Sequence, residues 1–151
     1  MLLAAVRDTP YNIMLILHIL TAMAAFAPAF AHPLITTQGR EFDGASRRTL
    51  MGFLVQNGRR VYAPALILNG LLGFALAGMS DKVYSMSDTW LVLAFVAWIA
   101  MNGVLHGVIV PAERAMSNGD FSAERRVSAG GAAISLLLLV QLWLMVFKPF
   151  I

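Results

Sequence analysis

The chain has 151 residues, 59% of them hydrophobic and only 13% charged, with a formal net charge of +3. A soluble domain carries about 25% charged residues, so this composition and a mean hydropathy of +0.73 point to a membrane. The absence of cysteine excludes disulfides, thiolate metal sites and covalent haem attachment, and no basic face interleaved with aromatics suggests nucleic acid as a partner.

Four apolar runs are long enough to cross the hydrocarbon, which takes about 20 residues. The first predicted span covers about residues 11–35. Its end, Ala29-Phe30-Ala31 before His32, imitates a signal-peptide cleavage site. Five arginines follow that point and Asp8 offsets Arg7 before it, so the charge asymmetry opposes cleavage and predicts a retained helix. Within the span, His18 and His32 are 14 residues apart. At about 3.6 residues per turn they share a face, with Ala22, Ala25 and Ala29 between them. Such a strip lets a neighbouring helix or a flat ligand approach closely. Pro28 is expected to kink the helix.

The first connection holds Arg40, Arg47, Arg48, Arg59 and Arg60, and Leu50, Phe53 and Leu54 recur there at helical spacing. Two readings stand for about residues 46–58: a basic amphipathic helix at the membrane surface, continuous with the next span or separate from it, and a solvated loop. The second span, about residues 61–79, carries Asn69, Gly70 and Gly73. The third, about residues 88–110, carries Asn102 and His106 on one face, with Gly103 and Gly107 as a G-x-x-x-G motif of close helix contact. Glu113-Arg114 at its end reads as a boundary charge pair. The fourth, about residues 128–147, carries Ser135 and Gln141. Asn69, Asn102 and Gln141 are expected to make polar contacts between helices. The predicted fold class is therefore all-α: one domain over residues 1–151, a polytopic membrane protein built as a four-transmembrane-helix bundle.

Arg7, Lys82 and Lys148 fall on one side of such a bundle, and the other eight of the 11 basic residues on the other. The positive-inside rule then places both termini on the outer, periplasmic side of a bacterial inner membrane. At about 1.5 Å per residue, His32 and His106 lie roughly 31 and 27 Å from the outer ends of their spans, at similar inner depth, and His18 lies roughly 10 Å from the outer end. Ionisable groups inside a membrane need a partner or a task. Each histidine has a structural reading as a hydrogen-bonding residue and a functional one as a ligand. The functional reading makes His18, or His32 with His106, the axial ligands of a b-type haem or the donors to a metal. Catalytic motifs are absent, and no acidic residue falls inside a span.

Three stretches, "LILHIL" in the first span, "GVIVPAERAM" ending the third and "LWLMVFKPF" at the carboxyl end, carry a resemblance. Together they resemble a family of small bacterial four-helix integral membrane proteins of unknown function. More distantly, the Leu-His opening is similar to the membrane part of copper-resistance proteins and to the haem-associated protoporphyrinogen oxidase of bacteria, a resemblance that implies interest in His18. Three functions are therefore expected. The first is a binding module for haem or a metal. The second is an accessory subunit packed against a larger respiratory or photosynthetic membrane complex, or self-associating, in the lipid bilayer. The third is a small transporter or redox enzyme.

Overall fold

In the computed structural model, which describes residues 8–81 and 83–149, all regular structure is helical. Arg7, Lys82 and Phe150, used above in the charge count and the carboxyl-terminal motif, lie outside the described residues. Helix α1 spans Thr9–Gln38 and ends in a 3-10 turn, Gly39–Glu41. Helix α2 (Gly44–Asn57) runs through a π-turn, Gly58–Tyr62, into α3 (Ala63–Gly78). Helix α4 (Thr89–Val104) runs through a second π-turn, Leu105–Ile109, into α5 (Val110–Ser117). A 3-10 turn, Phe121–Ala123, then leads into α6, Glu124–Phe147. Four helical rods result, each long and apolar enough to cross a membrane.

All four rods, of 27 to 35 residues, exceed the thickness of a bilayer hydrocarbon core, about 30 Å. The α2–α3 rod has 35 residues and is roughly 52 Å long at about 1.5 Å per residue. The segment expected as an interfacial helix or a loop is thus the extension of the second span, and it has a partner. Met51 and Leu54 of α2 pack with Ala112 and Met116 of α5 and with Ala123 and Val127 at the start of α6. Of the three expected apolar positions, Leu54 is buried, Leu50 packs at the edge of this cluster and Phe53 is exposed. Asp43 caps α2, accepting from the N–H groups of Ala45 (2.8 Å) and Ser46 (3.0 Å) and from the Ser46 hydroxyl. The Ser46 N–H and hydroxyl, with the Ala45 N–H, hold the Asp43 carboxyl below the usual carboxylate range.

Two further clusters hold the rods together. Leu66, Met101, Ile109 and Ile134 pack mid-bundle, joined by Ala25, Phe26 and Ala29 of α1. At the opposite end Ala77, Trp90, Leu91, Ala94 and Leu144 pack beneath the turn of Ser80 to Tyr84. Close approach falls at three glycines: Gly39, where a Cβ would sit 2.9 Å from Leu50, and Gly70 and Gly130. A Cβ on Gly70 would sit 2.2 Å from the Trp98 ring, whose Nε1 donates to the Leu66 carbonyl at 2.8 Å. A Cβ on Gly130 would sit 2.6 Å from Ile109. Gly103 and Gly107, expected to mark close contact, are exposed, and a Cβ on either would meet nothing within 4 Å.

Pro28 and Pro33 lie inside a helix that stays continuous past both. The Thr36 hydroxyl donates to the His32 carbonyl and the Thr37 hydroxyl to the Pro33 carbonyl, at 2.8 and 2.7 Å, so both hydroxyls find acceptors within α1. Pro64 and Pro111 act differently. Each stands two residues past the end of a π-turn. A proline ring clashes with the carbonyl four residues back and offers it no N–H. The wider i→i+5 turn relieves both problems without breaking the rod.

Candidate functional site

The face of α1 that carries both histidines is the one turned toward α3, and it places them in two different settings. His18 is half-buried. Its Nδ1 lies 2.9 Å from the Asn69 carbonyl oxygen. A carbonyl only accepts, so Nδ1 carries the proton. The Asn69 amide donates in return to the His18 carbonyl at 2.8 Å. Its 3.2 Å approach to His18 Nδ1 is then a contact between two donors, not a bond. Gly73 leaves room for the ring, since a Cβ there would come within 3.2 Å of His18 Cε1. His18 and Asn69 thus clamp α1 to α3, each satisfied by the other's backbone.

His32 meets a carboxylate. Its Nδ1 lies 3.1 Å from Glu113 Oε1, at ion-pair distance but without hydrogen-bond alignment. Glu113 is 1% exposed. The boundary pair expected between Glu113 and Arg114 is not formed among the described residues: Arg114 is exposed and Glu113 turns inward. Tyr62 packs edge-on against the His32 ring, with centroids 5.6 Å apart. His32 Nε2 is buried and has no hydrogen-bond partner.

These three side chains line one cavity of about 330 Å³. Its walls are mostly apolar, with Ala25, Ala29, Leu66 and Ile134 opposite one another, and Arg40 stands at its edge. Both π-turns contribute to the wall: Gly58 and Tyr62 from the first, Leu105 and Ile109 from the second. Two π-turns on one cavity fit the tendency of such turns to occur at functional sites. Gly58 lies beside the carboxylate, and a Cβ there would make an ordinary contact with Glu113 Oε2 at 3.7 Å.

The other expected site residues are placed apart. His106 is exposed and does not line the cavity, so the chain does not bring it to His32. Asn102 donates to the Trp98 carbonyl within its own helix, at 2.9 Å. Gln141 has a buried Oε1 without a partner. Only Asn69, of the three amides, bonds across helices. Glu113 and Tyr62 were not expected at a site. In an unbroken α-helix Glu113, seven residues past His106, would share its face. A π-turn takes one more residue per turn and rotates everything downstream by about 100°. That rotation turns Glu113 in and leaves His106 out. Pro111, two residues after the turn, is the sequence signal for it.

The donor arrangement limits the chemistry. No group of three or more His, Asp or Glu side chains that could hold a metal ion exists among the described residues. One imidazole nitrogen is unclaimed, its ring held from the other side by a carboxylate. A ligating histidine is commonly oriented in this way. By fold this is an all-helical bundle whose four rods have the length and composition of membrane spans. No family model, curated protein or solved structure matches the chain.

Proposed function

We propose that this protein is a membrane-embedded binding module that holds its ligand in the cavity against His32. The carrying observation is the buried, unpartnered Nε2 of His32 beside the buried Glu113 carboxylate. Burying an unsatisfied polar atom costs about 1–3 kcal/mol, and a ligand accepting or donating a bond at Nε2 removes that cost. With too few side-chain donors for a bare metal ion, the site suits a group that brings its own. A b-type haem would do so: it would supply its own ring nitrogens and the redox chemistry, and His32 would hold it through Nε2. Glu113, 3.1 Å from Nδ1, would orient the ring from its other side, and the mostly apolar walls would limit water. We place the chain in a bacterial inner membrane, with its eight loop arginines on the cytoplasmic side and both termini outside. The exposed apolar faces are what lipid alone would cover, so they lend no particular support to an accessory-subunit role.

The test is mild-detergent purification of the full chain from haem-replete cells, followed by its visible spectrum. A haem band that disappears in His32→Ala and shifts in Glu113→Gln is the expected result. A colourless wild-type protein that also fails to bind added haemin would overturn the haem assignment.

A further inference from the structure

A second feature adjoins the cavity. On the surface beside it runs a shallow groove lined by Arg40, Phe121, Ser122, Glu124, Arg125 and Ser128. Arg40 and Ser128 line both the groove and the cavity, so an apolar chamber and a charged surface share two walls.

The groove has an excess of positive charge. Glu124 is its one carboxylate, and two guanidinium groups share it: Arg40 Nε at 2.6 Å and an Arg47 terminal nitrogen at 2.7 Å. Arg47 is held down over the Phe121 ring, 4.3 Å from its centroid. Arg40 is 58% exposed at its side chain and spends only its Nε on Glu124. Arg125 is exposed and forms no ion pair among the described residues. Arg40 and Arg47 thus take both oxygens of the groove's one carboxylate, and the terminal nitrogens of Arg40 and the guanidinium of Arg125 are left for an anion. Guanidinium groups recognise carboxylates and phosphates in this way.

We infer that the ligand is an anionic amphiphile, with its apolar body in the cavity beside His32 and its acid group in the groove between Arg40 and Arg125. This rests on the binding-module reading and adds the ligand's class to it. Two sources have the required chemistry: a haem, through its carboxylates, and an anionic phospholipid, through its phosphate.

The test uses the full chain in detergent and two matched pairs of probes. Haemin is compared with its dimethyl ester, and phosphatidylglycerol with phosphatidylcholine, by spectral titration and native mass spectrometry. In at least one pair the acidic member should bind about tenfold more tightly than the neutral one. Arg125→Gln should close most of that gap while leaving the neutral probe's affinity unchanged. The pair that shows the preference identifies the source. Equal affinity for acidic and neutral members in both pairs would overturn the inference, as would an Arg125→Gln variant that weakens both members alike. Should His32→Ala abolish a binding that shows no acid preference, only the anionic part falls. Should no probe bind the wild type, the binding-module reading falls with it. The wild-type comparison stands even if a variant fails to fold.

Discussion

His18 and His32 lie on one face of one helix, yet their surroundings give them opposite characters. At His18, Nδ1 donates to the Asn69 backbone carbonyl and the Asn69 amide donates to the His18 carbonyl. At His32 the partner is a buried carboxylate, the alignment is poor, and Nε2 is left without a bond in a cavity wall. A reciprocal exchange of hydrogen bonds fastens two helices together, whereas a buried group left half-satisfied in a cavity wall is the observation on which the proposed binding role rests. The difference comes from the neighbouring rods. At His18 the facing segment is regular α3. At His32 both facing rods pass through π-turns, which open space and rotate Glu113 into it.

The comparison breaks most readily at the cavity. Replacing Glu113 by Leu should weaken ligand binding by about a hundredfold, because the imidazole loses the group that orients it. A loss of stability together with unchanged binding would make Glu113 a structural residue and erase the contrast. The next largest effect is expected at α3–α4. Gly70→Ala drives a Cβ into Trp98 and should destabilise the bundle by about 1–3 kcal/mol, read as a lowered thermal midpoint in detergent. Asn69→Ala removes the amide half of the His18 exchange while leaving the backbone carbonyl that holds Nδ1. It should cost about 0.6–1.7 kcal/mol and leave binding in the His32 cavity intact. Gly107→Ala, on the exposed face, should change stability by less than about 0.5 kcal/mol.

The smallest effect expected is at Asp43, which lies outside the spans. Its carboxyl is held below the usual range by the Ser46 and Ala45 donors. Its capping contribution is therefore present above the unfolded carboxyl pKa of about 3.9 and is lost as pH falls through the lower folded value. Asp43→Asn keeps a capping acceptor without the titration. A melt repeated from neutral to strongly acid pH should show less acid-induced loss in that variant than in wild type.

Much of this fold was legible in the sequence. Four apolar runs, each long enough to cross a membrane, correspond to the four helical rods. The shared face of His18 and His32 was also legible, because α1 is a continuous α-helix between them and the 3.6-residue repeat holds. The repeat fails at Leu105–Ile109, and the pairing of His32 with His106 fails with it, since one wide turn moves a whole downstream face. Glu113 was hidden for the same reason: beside Arg114 at the end of an apolar run, it read as a boundary charge. The G-x-x-x-G at Gly103 and Gly107 shows that spacing alone does not say which face is packed. Gly39, Gly70 and Gly130 carry no such motif and are close contacts. The offset shared by Pro64 and Pro111, each shortly after a π-turn, is the local signal that could have corrected the register.

The most direct measurement is a side-by-side titration of His18→Ala and His32→Ala with haemin, following the visible absorption of the full-length protein. His18→Ala should keep the wild-type spectrum and affinity at a lowered melting temperature, and His32→Ala should lose the spectrum while staying folded. Loss of the spectrum in His18→Ala with retention in His32→Ala would contradict the account and move the site to the other end of α1.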